Sequence, residues 1–308
     1  MTTGSEVLFV GDIGLDTTVA LSHLPQSDEK VVASAVADHT GGVVANAAVA
    51  CHRAGADVRL LCGIGDDPAG SHAVNELRGA GIVVDARVIP GTTCRAFIVL
   101  EPAGEKRLIL IPGVSMYPGA DQVRSVSLDD VAWVHTAAYD PDAAALLAAR
   151  CRDADLPWSV DLEPATFNRD PSGLAASLCG AAVVFVNTRA ARDLGDGAAN
   201  WLLDHGVRAV ILSRGSQGAV WTSATTQARA HPPEAVGPVI DTTGAGDCLA
   251  GWFIAETLAG LDPASALTSA VAAASLSCTR VGAQASYPDR GELQRLQAAA
   301  LAPKRNTP

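Results

Sequence analysis

Positive charge is scarce in this 308-residue chain: 22 Lys and Arg stand against 33 Asp and Glu, a net charge of −11. That balance excludes nonspecific attraction to nucleic acid or to an anionic membrane surface. It does not exclude an anionic small molecule, because backbone amides and metal ions set the field inside a site. Long apolar runs are also missing. No segment approaches 18 uninterrupted apolar residues, so nothing is expected to span a membrane. The first apolar run, residues 7–10, is too short and lacks the basic flank of a secretory signal. The seven cysteines (51, 62, 94, 151, 179, 248 and 278) are odd in number and form no Cys-x-x-Cys pair. They read as small buried hydrophobes in a reducing compartment rather than a disulfide framework. None of the seven histidines falls at metal-ligand spacing, and His135 reads as a satisfied core or loop histidine. Two nucleotide-binding strings are absent too. There is no Walker P-loop, and Gly244-Ala245-Gly246 is followed by Leu249 where a dinucleotide fingerprint needs its third glycine. The expectation is a soluble, cytoplasmic protein with neither nucleic acid nor membrane among its partners.

What is present is foldable. Forty-eight per cent apolar residues and a mean hydropathy of +0.22 exclude a disordered chain, and this length suffices for one large core. Apolar runs at 7–10, 57–61, 131–135, 158–161, 182–186 and 210–212 read as strands. They alternate with helical stretches such as 47–54, 71–79, 142–151 and 264–279. That alternation predicts an α/β fold: a mostly parallel sheet with helices on both faces. Weak alternation over 17–21 and 30–36 predicts two short strands. The runs 94–100 and 106–111, flanking Pro102-Ala103-Gly104, predict a hairpin.

One stretch organises the rest. In Val239-Ile240-Asp241-Thr242-Thr243-Gly244-Ala245-Gly246-Asp247-Cys248 a short apolar run enters a glycine turn, and an Ala-rich helix leaves it. Such a turn offers free backbone N–H groups at the positive end of a helix, a ready-made anion site. Asp247 falls in the first helical turn, beside the anion rather than on it. A carboxylate is a poor phosphate ligand, so its job on this reading is to take a proton from whatever attacks the phosphate. Upstream, Asp12-Ile13-Gly14-Leu15-Asp16 sits just past the first strand, where open α/β sheets place ligands; Asp12 reads as solvated. In Gly41-Gly42-Val43-Val44-Ala45-Asn46 the glycines allow close approach of a ligand, and Asn46 either holds a pair of hydroxyls or caps a helix. Arg95, Arg107 and Arg214 either reach ligand or face water.

The string Asp241-Thr242-Thr243-Gly244-Ala245-Gly246-Asp247 resembles the signature of the ribokinase-like (PfkB) family of sugar and nucleoside kinases, and Gly41-Gly42-x-x-x-Asn46 resembles that family's substrate segment. The resemblance extends from about residue 7 to residue 288. It implies a single domain over 1–308, a three-layer α/β/α sandwich with a small β lid built from about 14–40 and about 92–113. It implies ATP-dependent phosphorylation of a hydroxyl on an unphosphorylated sugar of ribose or ketose type, with Mg²⁺ and K⁺ as cofactors and a homodimer formed through the lid. Carried across, Asp247 is the general base and the amides of Gly244, Ala245 and Gly246 stabilise the transferring phosphoryl. Asp16, Gly41, Gly42 and Asn46 hold the acceptor. Asn187, Ser213, Gly215 and Gly218 lie under the nucleotide, and Asp241, Thr243, Ser277, Gly282 and Ser286 surround the monovalent cation.

Three departures stand out. Val43 replaces a Lys found in some relatives that bind sugar phosphates. Ala190 replaces the Glu of an Asn-x-x-Glu segment that supports the magnesium–phosphate network. An acidic group that many relatives carry near 136–139 shifts here to Asp140 or disappears. The rival readings are a nucleoside kinase of the same family, against which no aromatic stands beside Asp16 or Asn46, and a binding paralogue without catalysis, for which Ala190 is the argument.

Overall fold

A computed structural model describes residues 5–101, 106–114, 116–167 and 171–301. Residues 102–104, between the two runs expected to form a hairpin, and residues 303–308, which read from sequence as a tail, lie outside the described residues. Among the described residues there are thirteen strands: β1 (Glu6–Val10), β2 (Gly14–Ala20), β3 (Ala35–Gly41), β4 (Asp57–Gly65), β5 (Val83–Ile89), β6 (Arg95–Leu100), β7 (Lys106–Ile111), β8 (Val131–Ala137), β9 (Trp158–Leu162), β10 (Val183–Asn187), β11 (Ala209–Ser213), β12 (Ala219–Ser223) and β13 (Gln227–Ala230). Nine form one sheet in the order β13-β12-β11-β10-β9-β8-β1-β4-β5. All its pairings are parallel except those joining β11 to β12 and β12 to β13.

Alternation along β1 shows why helices cover both faces. Val7 and Phe9 enter one apolar core with residues of the helices Val43–Arg53, Pro68–Gly79, Ala245–Leu258 and Pro263–Ser277. Leu8 and Val10 enter the other, with residues of Pro141–Asp153, Thr188–Leu194 and Ala198–Asp204. Side chains of a strand point alternately to its two faces, so a strand apolar throughout must be buried on both. From β1 the order runs to β4 on one side and to β8 on the other. That switch opens a crevice beyond the carboxyl ends of the strands. Five of the seven cysteines are buried, as expected of small hydrophobes; Cys179 is exposed and Cys278 half-buried. Among the described residues no helix is long and apolar enough to cross a membrane.

Two features differ from the sequence expectation. The helix expected over 47–54 starts four residues earlier, at Val43, because the Asp12 carboxylate accepts from the Val43 and Val44 amides at 2.8 and 3.0 Å and caps the helix from a distant segment. That role leaves Asp12 only 5 % exposed instead of solvated. Residues 30–34 belong to no strand; the second early strand is β3, from Ala35. It joins a separate four-stranded sheet in the order β3-β2-β6-β7, attached at the mouth of the crevice through Ile13 and Gly14.

The helices Val43–Arg53 and Ala245–Leu258 approach so closely that a Cβ at Gly251 would lie 2.3 Å from the Ala47 carbonyl. Only glycine fits there. Asp247 is one turn before Gly251 and Asn46 is next to Ala47, so this crossing brings those two side chains together.

Candidate active site

The amide turn is held by its own geometry. Gly244 adopts a left-handed backbone (φ 72°) immediately before the helix Ala245–Leu258, a conformation that glycine takes without strain. Its carbonyl accepts the first intrahelical bond, from Cys248 N–H at 2.8 Å. The Ala245 amide leans back on the Thr242 carbonyl at 3.3 Å. The Gly246 and Asp247 amides belong to the first turn, where a helix has no acceptors of its own to offer.

Asp247 meets Asn46 at 2.8 Å, Nδ2 donating to Oδ2. The Asn46 oxygen in turn accepts from Gln284 Nε2 at 2.9 Å. Asn46 turns its NH₂ to Asp247 and its oxygen to Gln284, the polarity that an ionised Asp247 needs. It is the fourth residue of the helix Val43–Arg53, so it lies inside the helix and does not cap it. Burial pushes the Asp247 carboxyl well above the usual carboxylate range. The Asn46 hydrogen bond opposes this, while the charges of Glu163, Asp12 and Asp16 reinforce it.

Asp16, half-buried on β2, pairs in register with His39 of β3. Burial raises its carboxyl to about 6, and His39 pulls the other way. A Cβ on Gly41 would fall 2.2 Å from an Asp16 oxygen, so glycine there makes room for the carboxylate. Asp12 is also raised to about 6: burial outweighs its two amide bonds.

Two further acids were not singled out in the sequence. Asp161 is the fourth residue of β9 and Glu163 follows that strand's end. Asp161 is raised well above the usual range by burial, then by Glu163, Asp247 and Asp12. Glu163 accepts from Tyr139 O–H at 2.9 Å. Their position at the carboxyl end of a parallel strand was the available signal. Asp140, expected to take over an acceptor role or none, caps the helix Pro141–Asp153 through the Asp142 and Ala143 amides, both at 3.1 Å. His135 is fully buried, its Nδ1 2.8 Å from Ser159 Oγ.

On the other side of the crevice Asn187 and Ser213 are register partners at the ends of β10 and β11. The Asn187 oxygen caps the helix Thr188–Leu194, accepting from Arg189 and Ala190 at 3.0 and 2.8 Å. Gly215 and Gly218 form the tight turn beyond β11, and a Cβ at Gly215 would meet open space. Ala190 is fully buried in the apolar core, which explains the small residue there but offers no carboxylate to the crevice. Val239 and Ile240, the apolar run before the amide turn, are more than half exposed. Arg95 lies 3.6 Å from Asp67, and Arg107 pairs with Glu101.

The oxygen-rich loop is tied through Asp241. Its Oδ1 accepts from the Thr243 amide and hydroxyl at 2.9 and 2.6 Å, and its Oδ2 accepts from the Gly282 amide at 2.9 Å. Ser277 and Ser286 are buried, and each donates its hydroxyl proton to a nearby carbonyl, Ala274 and Ala283 respectively. Their remaining lone pairs suit a hard cation.

A mostly parallel nine-stranded sheet, a separate four-stranded sheet and a helix-end amide turn beside a half-buried carboxylate define a phosphotransferase-type site. Residues 5–290 match the pfkB family of carbohydrate kinases, and the chain belongs to that family: it is an ATP-dependent carbohydrate kinase. It is 29 % identical over 281 residues to the ATP-dependent ribose-1-phosphate kinase of Halopiger xanaduensis, covering 90 % of this chain and 93 % of that protein. It is 27 % identical to the ribokinase of Bacillus subtilis over 94 % and 98 % of the two chains. The fold matches the Arabidopsis thaliana ribokinase solved with ribose and ATP, with a TM-score of 0.80 at 23 % identity over 96 % and 99 % of the two chains.

Proposed function

We propose that this kinase transfers the γ-phosphoryl group of ATP to a hydroxyl of an unphosphorylated sugar of ribose or ketose type. The observation that carries the reading is the hydrogen-bonded chain Gln284–Asn46–Asp247 set against the amide turn. Asp16 and Asn46 hold vicinal hydroxyls so that one oxygen lies in line with the γ-phosphorus. Asp247 accepts that hydroxyl's proton as the new P–O bond forms and the bond to ADP breaks. The turn Gly244-Ala245-Gly246 stabilises the charge spreading over the phosphoryl oxygens. Among the described residues no group of three His, Cys, Asp or Glu could hold a metal alone. That fits Mg²⁺ held mainly by nucleotide phosphates, with Asp161 and Glu163 as anionic oxygen donors in place of the carboxylate missing at Ala190. When bound, the ion neutralises charge on the phosphates. Asp241, Thr243, Ser277, Gly282 and Ser286 suit K⁺. Asn187, Ser213, Gly215 and Gly218 floor the nucleotide, and Val239, Ile240 and Val281 give its base an apolar face.

The acceptor pocket gathers Asp12, Asp16 and Asp247, with Val43 in place of a cation, which disfavours an acceptor that already bears phosphate. The chain forms one domain with the four-stranded sheet as its lid. Exposed Leu108, Ile109, Leu110 and Ile111 leave β7 an apolar edge that a second copy would cover; sedimentation showing only monomer at micromolar concentration would remove that assembly. The function is tested by acceptor-dependent ADP release with Mg·ATP and K⁺ across pentoses, ketohexoses, ribose 1-phosphate and nucleosides. Strong turnover with a free sugar is expected. Turnover confined to the phosphorylated arm or to nucleosides would replace the acceptor class, and none anywhere would favour the binding paralogue.

A further inference from the structure

Tyr287 is fully buried, yet it carries a hydroxyl. Its ring lies in the apolar core with Val44, Trp252 and Leu293, where a phenylalanine would fill the same volume. The hydroxyl adds one contact: it donates to the Gly244 carbonyl at 2.9 Å. That carbonyl already accepts from Cys248 N–H at 2.8 Å, so it is held from two directions. A peptide group is planar, so fixing the Gly244 carbonyl also fixes the Ala245 nitrogen, whose N–H leans on the Thr242 carbonyl at 3.3 Å, and with it the start of the helix that carries the Gly246 and Asp247 amides. Fit is close on the other side as well, since a Cβ at Gly244 would lie 2.3 Å from the tyrosine oxygen. The tyrosine's own backbone is anchored, its carbonyl accepting from the Arg53 guanidinium at the end of the helix that carries Asn46. Burial pushes its phenol well above the ordinary range, with the charge of Asp247 adding to the effect, so it remains a donor.

We infer that Tyr287 is a positioning residue, holding the Gly244 peptide so that the amide turn is set for the transferring phosphoryl before ATP arrives. It touches no substrate and acts through the turn. The inference rests on the phosphotransferase reading above. Preorganised donors contribute most where charge develops in the transition state, and ground-state binding gains little from them. Losing the hydroxyl should therefore lower kcat and spare KM.

The test compares wild type with Tyr287→Phe, which keeps the ring in the core and removes only the hydroxyl. The expected result is a kcat at least about tenfold lower, with KM for the acceptor and Kd for Mg·ADP within about twofold of wild type. A second readout needs no acceptor: calorimetric binding of Mg·ADP with and without aluminium fluoride, which mimics the transferring phosphoryl. The fluoride should tighten ADP in wild type, and Tyr287→Phe should lose about tenfold of that tightening. Unchanged kcat and unchanged tightening in a folded variant would overturn the assignment and leave the kinase reading intact. No tightening in wild type itself would overturn the amide turn as the site of the transferring phosphoryl, and the inference with it.

Discussion

At the proposed acceptor end of the crevice the side chains are already partnered: Asp12 takes two amides, Asn46 bridges Gln284 to Asp247, and Gly41 gives way to Asp16. At the proposed nucleotide end Gly215 borders open space, and Val239 and Ile240 present apolar surface to solvent. The first region crowds carboxyls together, and several of them are pushed upward by burial and by one another. The second is a shelf of backbone and small residues. Chemistry needs the first kind of construction, because a base and an anion cradle work through fixed geometry and low dielectric. A nucleotide brings its own charge and flat base, so a shelf suffices.

If that contrast is correct, damage at the acceptor end should be severe and at the nucleotide end slight. Asp247→Asn keeps the shape and the Asn46 contact but removes the proton acceptor. Its kcat should fall by about 10³-fold or more, with acceptor binding by calorimetry retained. Asp12 comes next, and its effect is read in stability. Its carboxyl is raised from 3.8 to about 6, so its contribution is fully present below about pH 4 and is lost as pH rises through about 6. Comparing Asp12→Asn with wild type by denaturant unfolding, the stability gap should move in the variant's favour by about 3 kcal/mol between pH 4 and pH 7. A gap independent of pH would mean that Asp12 is not desolvated. Asp16→Asn should raise the acceptor KM by about 10- to 100-fold with the KM for ATP unchanged. Ser213→Ala, on the shelf, should change the KM for ATP by about fivefold or less. A larger loss at Ser213 than at Asp16 would erase the comparison.

The two ends were also unequally legible. Period-2 and period-3.6 patterning located the sheet and its helices, and the Gly244-Ala245-Gly246 turn with Asp247 stood out because glycine and a first-turn acid have local reasons to be there. Asn187 and Ser213 were named through the family resemblance, and the structure makes them register partners at the ends of β10 and β11. Long-range contacts were hidden. Asp12 caps a helix that begins 31 residues later, so no local rule marked it. Gln284 and Tyr287 reach Asn46 and Gly244 across 238 and 43 residues. Asp161 and Glu163 looked like ordinary residues at a strand end, and only the strand order brings them beside Asp12 and Asp247. Two alternatives were left for Asp140, and its oxygen caps its own helix, which agrees with the acidic role disappearing.

The central claim is that the half-buried Asp247 carboxylate, crowded by like charges, takes the acceptor proton. It is tested most directly by kcat at saturating sugar and Mg·ATP as a function of pH. Asp247 must be ionised to act, and its carboxyl is held well above the ordinary range by burial and by Glu163, Asp12 and Asp16. The rate should therefore fall on the acid side with a midpoint clearly above the usual carboxylate value of about 4. A kcat that stays level down to about pH 5 would contradict the account, because it would require a base with an unperturbed carboxyl.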